Sequence, residues 1–159
     1  MIIETLKGRL SDAAFAGLAV DYADIAWHDA HRKIARLTTR NGLELGLRLS
    51  EELSHRGLRQ DDVLYADDAA AVAVNIVPCA CIAVCPASRE GLVKLCYEIG
   101  NRHAPFFYDE SGAGFLLPYD APMFALLEKL GHVPRPLTAR LMPEKRISNT
   151  HAHTHTHTH

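Results

Sequence analysis

The chain has 159 residues, 48% of them hydrophobic, and a formal net charge of −2 with histidine neutral. This size and apolar content suit one domain of common size, or two small ones, with a packed core. The weak negative charge predicts no electrostatic affinity for nucleic acid or for an anionic membrane. The start, Met1 to Glu4, has no basic segment leading into an apolar signal core, so we expect a cytoplasmic protein.

Residues 1–74 are predicted to form a small β-domain. The leucines at 43, 45, 47 and 49 alternate with other residues, as in a half-buried strand. Asn41-Gly42 tolerates the positive φ angles of a tight hairpin, so the partner strand should run through residues 34–38. The other predicted elements are a helical turn at 50–56 ended by Gly57 and strands at 63–65 and 71–77, joined by a turn at Asp67-Asp68.

Residues 75–146 show a different pattern, which begins with a strand ending near Val84. Ser88 is a plausible N-cap of a helix with the buried stripe Leu92, Leu95, Cys96 and Ile99, and Gly100 is placed to end it. The remaining predicted elements are strands near 106–108 and 114–117, a helix from the cap Asp120 to Gly131, and an edge strand at 133–141 with prolines at 134 and 136.

The order strand-helix-strand-strand-helix-strand is that of the split βαβ, ferredoxin-like arrangement. The fold class is therefore predicted to be α+β: a small N-terminal β-domain, a ferredoxin-like (βαββαβ) domain and a disordered histidine-rich tail. The chain beyond Pro143 is polar, and we expect it to be disordered.

Four cysteines, at 79, 81, 85 and 96, are expected to be thiols rather than a disulfide framework. The run Cys79-x-Cys81-x3-Cys85 superficially resembles a thiolate metal site, but its spacing is not that of structural zinc knuckles. Packing is the favoured interpretation, with these three cysteines on one face of a strand. Cys96, on the helical stripe, is predicted to lie in the core.

The last nine residues alternate histidine with alanine or threonine from His151 to His159. In an extended chain this alternation puts all five imidazoles on one side, with successive histidines roughly 7 Å apart along the backbone. Neutral imidazole suits zinc, copper and nickel, so the tail is interpreted as a metal collector. An expression tag or a solvated tail is the alternative, although tags are usually unbroken histidine runs.

Gly100-Asn101-Arg102-His103 follows the first helix of the second predicted domain, and Pro105 blocks further helix. His103 would leave from a helix C-terminus, where exposed carbonyls favour a cation. From these residues alone, a histidine that merely complements the helix dipole and a metal ligand are both open interpretations.

The segment from Tyr97 to Pro105, Tyr-Glu-Ile-Gly-Asn-Arg-His-Ala-Pro, resembles the Tyr-x-Leu-Gly-Asn-Arg-His-x-Pro signature of the UreE family of urease accessory metallochaperones. The basic segment His31-Arg32-Lys33, Asp61 to Leu64 and Leu130-Gly131 are also similar to that family, as is the histidine-rich tail. The resemblance covers essentially the whole chain. It departs at Tyr119-Asp120-Ala121, where some members carry His-Asp-His as an extra metal site.

The resemblance implies a peptide-binding domain at 1–74, a ferredoxin-like metal-binding domain at 75–146 and a flexible tail at 147–159. It implies that the protein is not an enzyme but a homodimeric metal carrier, in which His103 of each protomer binds a shared Ni²⁺. The resemblance also implies that the protein delivers this Ni²⁺ to apo-urease together with the urease accessory GTPase. Two nitrogens are too few for Ni²⁺, so tail histidines should complete the shell, with Zn²⁺ and Cu²⁺ as competitors. The tail candidates are His151 and His153 first, then His155, His157 and His159, in an undetermined register.

Two alternatives stay open at this point. A metal storage or detoxification protein would have a similar tail. A metal-dependent hydrolase would need convergent ligands with an open coordination position. The histidines outside the tail are His28, His31, His55, His103 and His132, without the His-Glu-x-x-His spacing.

Overall fold

The structure, a computed structural model, describes residues 1–147, so the predicted tail histidines lie outside the described residues. The described part contains eleven strands and three α-helices. The strands are β1 (Ile2–Ile3), β2 (Gly8–Arg9), β3 (Ala19–Ile25), β4 (Ile34–Thr38), β5 (Glu44–Arg48), β6 (Asp62–Ala66), β7 (Ala70–Ile76), β8 (Cys79–Val84), β9 (Phe107–Tyr108), β10 (Phe115–Pro118) and β11 (Arg135–Ala139). The helices are α1 (Glu51–Arg56), α2 (Arg89–Asn101) and α3 (Ala121–Lys129).

The chain divides into two compact units. The first contains Met1–Cys79 and Thr138–Glu144, and the second contains Ala80–Leu137 and, among the described residues, 145–147. The segment Thr138–Glu144 thus belongs to the first unit, although the sequence analysis groups it with residues 75–146. The reason lies in contacts that span the sequence: Arg140 donates from Nε to the carbonyl of Ile76 at 2.9 Å, and Leu141 is fully buried.

The first unit is built from two sheets, with strand orders β1-β5-β4 and β2-β6-β7-β3. The predicted hairpin is confirmed, because β4 and β5 pair antiparallel and Gly42 has a φ of +87° in the turn between them. Leu45 and Leu47 are buried, as their alternation predicts, and α1 begins at the Ser50 cap. Asp62 is buried in this unit, where Arg56 donates two hydrogen bonds to its carboxylate at 2.8 and 2.9 Å.

The second unit follows the predicted order of elements, β8-α2-β9-β10-α3-β11. Its sheet has the strand order β11-β8-β10-β9, and β10 runs antiparallel to both β8 and β9. The strand β11 contains Pro136, follows Pro134 and lies at an edge of the sheet, as predicted. The core of this unit is formed by apolar side chains of the sheet and of both helices: Ile82, Val84, Leu95, Ile99, Phe106, Phe115, Leu117, Met123 and Leu127.

Two sequence-based expectations about α2 are wrong. Gly100 does not end α2, which continues through Asn101. Cys96 is exposed rather than buried in the core, because it lies beside the buried arc formed by Leu95 and Ile99. Partial burial nevertheless raises the pKa of the Cys96 thiol above its ordinary value.

Residues 143–147 are also ordered, although their polar composition predicts disorder. Pro143–Lys145 form a 3-10 turn, and Pro143 is buried. Arg146 forms a β-bridge with Phe107, and the amide of Ile147 donates to the carbonyl of Phe106 at 2.8 Å. These backbone contacts hold the segment in place, and composition does not reveal them.

Candidate metal centre

The candidate ligand His103 follows α2, a helix whose position is fixed at both ends and along one side. Ser88 caps its N-terminus, since the Ser88 hydroxyl accepts a hydrogen bond from the Gly91 amide at 3.0 Å. Leu95 and Ile99 are buried in the core of the second unit. The imidazole of His103 is therefore carried by a well-anchored element and is itself exposed.

The backbone of His103 is left-handed, with a φ of +51°. Its amide donates to the carbonyl of Gly100 at 3.0 Å, and the amide of Ala104 donates to the carbonyl of Ile99 at 3.3 Å. This pair of hydrogen bonds defines a Schellman motif, in which the left-handed position is usually occupied by glycine. A histidine there costs about 1 kcal/mol of backbone strain.

The second helix of the same unit ends in the same way, but with glycine. Gly131 has a φ of +85°, its amide donates to Glu128 at 2.9 Å, and the amide of His132 donates to Leu127 at 3.0 Å. Two helices thus share one capping geometry, and only α2 places a side chain at the left-handed position. A non-glycine residue held in this conformation is a reason to look for function there.

Arg102, next to His103, interacts with its own helix. Its guanidinium donates to the Glu98 carbonyl at 2.9 Å and forms an ion pair with the Glu98 carboxylate. The carboxylate compensates the positive charge that would otherwise stand beside the imidazole and disfavour a bound cation.

No group of three or more His, Cys, Asp or Glu side chains within residues 1–147 is arranged to hold a metal ion. His31 lies against the carbonyl of Ser54 at 3.0 Å, and His132 lies against Gly91 at the start of α2. His28 and His55 lie near Asp29 and Glu51, at 3.8 and 4.0 Å. Asp120 caps α3, accepting a hydrogen bond from the Met123 amide at 2.9 Å. Further ligands for His103 would have to come from outside the described part of one chain.

The last described residue is held by the segment that follows His103. The amide of Ile147 donates a hydrogen bond to the carbonyl of Phe106, and Phe106 is only three residues after His103. An extended chain of four residues spans at most about 14 Å, so His151 is within reach of the imidazole in terms of chain length. His151 and the four histidines after it lie outside the described residues.

The cysteines do not extend this centre. Cys81 is buried in β8, whereas Cys85 lies beyond the end of that strand and is exposed, so the three cysteines do not share one strand face. None of the four cysteines, all within the described part of the chain, forms a disulfide.

Sequence reasoning places His103 correctly just after a helix but misses its left-handed backbone. Gly100, the obvious stop signal, lies inside α2. Pro105 was the better signal, since proline is common one to three residues beyond a helix end and Pro105 lies three residues after the C-cap Arg102.

Two family models match the chain: the N-terminal domain of the UreE urease accessory protein over residues 3–77 and its C-terminal domain over residues 78–159. These matches define the class of protein. It is an accessory protein of urease maturation, from a family of metallochaperones rather than enzymes, which confirms the expectation that the chain is not an enzyme and removes the hydrolase alternative.

Curated relatives agree with this class. The chain is 40% identical over 148 residues to urease accessory protein UreE of Helicobacter pylori strain G27, and equally to that of Helicobacter acinonychis, covering 93% of this chain and 86% of either relative. It is 35% identical over 141 residues to the protein of Flavobacterium johnsoniae, covering 89% and 83%. The chain belongs to the UreE family of urease accessory proteins, and its role lies in urease maturation.

None of the helices in residues 1–147 combines the length and the apolar character needed to cross a bilayer.

We predict that His103→Gly stabilises the metal-free chain by about 0.5–1 kcal/mol, because glycine removes the left-handed strain. Denaturant unfolding in the presence of a chelator measures this change. The matched control is Gly131→Ala, which should destabilise by about 1 kcal/mol at the equivalent cap of α3. A destabilised His103→Gly variant would show that the imidazole serves the fold.

Proposed function

We propose that this chain is a nickel-binding metallochaperone that delivers Ni²⁺ to the urease active site and binds the metal at a dimer interface through His103. The observation that carries the proposal is an exposed imidazole held at a strained helix cap where the fold would be more stable with glycine. The family membership supports nickel handling in general. Backbone strain at an exposed ligand residue supports His103 as the anchor.

The outward face of α2 supports a homodimer. Val93 and Tyr97 are 61% and 65% exposed and lie four residues apart on this helix. Gly100 continues the same face one turn further on and is also exposed. An apolar helix face that leads directly to His103 suits a contact between two copies.

Gly100 itself points to a close contact. Glycine inside a helix costs about 1 kcal/mol relative to alanine. A Cβ at Gly100 would meet nothing within 4 Å, and its φ is not positive, so the single chain has no steric need for glycine there. Close approach of a second copy supplies a reason, and a two-fold axis near this point would bring two His103 side chains together.

Two imidazoles do not complete the coordination of Ni²⁺, which takes four in-plane or six octahedral donors. We propose that His151 and His153, with His155, His157 and His159 as further candidates, supply the missing nitrogens. The short path from Ile147 supports the two nearest. Zn²⁺ and Cu²⁺ would compete for the same ligands, so metal supply and partners determine selectivity.

The proposal also covers the domains, the location of the protein in the cell and its partners. The second unit, which takes up most of the predicted range 75–146, is a ferredoxin-like metal-binding domain, and the sheet order β11-β8-β10-β9 supports this assignment. Residues 1–74 form a peptide-binding domain, and the predicted tail at 147–159 lies outside the described residues except for Ile147. The protein acts in the cytoplasm and passes nickel, by ligand exchange, to apo-urease together with the urease accessory GTPase.

We predict that a chain truncated after Thr150 binds about one Ni²⁺ per dimer and that His103→Gly in this background binds none, because the anchor pair is lost. Calorimetric titration with Ni²⁺ measures both. His28→Ala, at an exposed histidine of the first unit, is the control and should bind as the parent does. Unchanged stoichiometry and affinity in His103→Gly would refute the role of His103.

We predict that Gly100→Leu weakens the dimer by about five- to 150-fold, because added volume on a close interface costs about 1–3 kcal/mol. Sedimentation equilibrium measures the dissociation constant. The matched control is Ala125→Leu, which adds the same kind of side chain at an exposed position of α3, and it should leave the dimer intact. A dimer equally strong in both variants would place the interface elsewhere.

A further inference from the structure

The chain comes back to the second unit a few residues before the first tail histidine. Thr138–Glu144 belong to the first unit, whereas residues 145–147 belong to the second. We call residues 145–147 the return segment. Its three contacts are all with residues that follow His103: Lys145 donates from Nζ to the Asp109 carbonyl at 3.2 Å, Arg146 forms a β-bridge with Phe107, and the Ile147 amide donates to the Phe106 carbonyl at 2.8 Å.

The β-bridge fixes the direction in which the return segment runs. The bridge between Arg146 and Phe107 is antiparallel, and the next residue, Ile147, is bonded to Phe106. Antiparallel partners run in opposite directions, so each step along the return segment leads one residue back towards His103. The chain therefore leaves the return segment heading for the candidate ligand.

The surroundings of the return segment indicate the same direction. Tyr108 lines a cavity with Arg89, in the first turn of α2, whereas His103 follows the last turn. The chain between His103 and Tyr108 thus runs back along the helix. The return segment is antiparallel to this chain, so it runs in the direction of α2, and Ile147 lines the same cavity as Cys96, in the middle of the helix.

The distance that remains fits the first tail histidine. Cys96, beside Ile147, precedes His103 by seven residues, which corresponds to about 10 Å along a helix axis. The four residues from Ile147 to His151 span at most about 14 Å when extended. His151 can therefore reach His103 with little slack.

We propose that the return segment is a positioning element of the nickel site, in which the hydrogen bond from the Ile147 amide to the Phe106 carbonyl directs the tail along α2 and brings His151 to His103. This inference rests on the proposed function, because it requires that tail histidines complete the coordination of Ni²⁺. The hydrogen bond contacts no metal ligand. Its loss should therefore change only the part of the nickel affinity that the tail contributes.

A purely structural role makes a different prediction. Since β9 lies at an edge of its sheet, the return segment also covers backbone groups of that edge. If this were its whole role, loss of the hydrogen bond would affect His103 in the same way with and without the tail.

The test is calorimetric titration with Ni²⁺ of Ile147→Pro, in the full-length chain and in the chain truncated after Thr150. Proline has no amide hydrogen, so the variant loses the hydrogen bond to Phe106. The nearest buried residue before the tail is then Pro143, and the tether to His151 lengthens from four to eight residues. Because effective concentration falls as about the −3/2 power of tether length, the full-length variant should bind Ni²⁺ about threefold more weakly.

Two comparisons isolate the effect. In the truncated chain, Ile147→Pro should bind Ni²⁺ as the truncated parent does. Ile147→Ala is the conservative variant in the full-length chain, and it should retain the affinity of the parent because it keeps the amide hydrogen.

The outcomes separate this inference from the proposed function. If the full-length parent binds Ni²⁺ no more tightly than the truncated parent, the proposed coordination by tail histidines is wrong and the inference falls with it. If the tail does contribute and full-length Ile147→Pro binds as tightly as the parent, only the positioning role is overturned. An equal loss with and without the tail would assign the hydrogen bond to the fold, and an equal loss in Ile147→Ala would assign the effect to the side chain. Either result also overturns the positioning role.

Discussion

The left-handed turn at the end of α2 is the constraint on which the second unit and its candidate metal centre both depend. Two hydrogen bonds, from the amides of His103 and Ala104, satisfy carbonyls that the helix end would otherwise leave unpaired. The turn then sends the chain into β9, so that Phe106 enters the core and stacks on Phe115 with a ring-centroid distance of 4.6 Å. The same turn exposes the imidazole of His103.

At this end of the helix, two positions carry residues that are less stabilising than the alternatives. Gly100 lies inside α2, where alanine would be more stable, and His103 lies at a left-handed cap, where glycine would be more stable. In α3 the conflict is absent, because Gly131 occupies the left-handed position. The nickel proposal accounts for both exceptions, since a close dimer contact favours glycine at position 100 and a shared ligand requires histidine at position 103.

Local chemistry predicted much of the fold, because the signals were strong. Ser88 and Asp120 cap α2 and α3 through their own side chains, and such bonds depend only on neighbouring residues. The alternating leucines of β5 likewise identify their buried face. By contrast, β3 (Ala19–Ile25) has no clear alternation and was not predicted; it exists because it pairs in parallel with β7, far along the chain.

The sequence predicted which residue forms the candidate site but not its backbone geometry. The position of His103 after a helix followed from the sequence. Gly100 was a misleading stop signal, because glycine occurs both inside helices and just after their ends. Cys96 was assigned to the core since it lies next to the buried arc of α2, and helical periodicity alone cannot fix the edge of that arc. The contact of Ile147 with Phe106 depends on tertiary structure, which composition does not encode.

In the proposed nickel site, one ion is held jointly by His103 of two protomers. Native mass spectrometry of a mixture of parent and His103→Gly chains, both truncated after Thr150 and distinguished by a mass label, tests it most directly. A shared site should give one Ni²⁺ in parent homodimers and none in mixed dimers or in His103→Gly homodimers. Mixed dimers that retain the ion as fully as parent dimers would contradict the shared site.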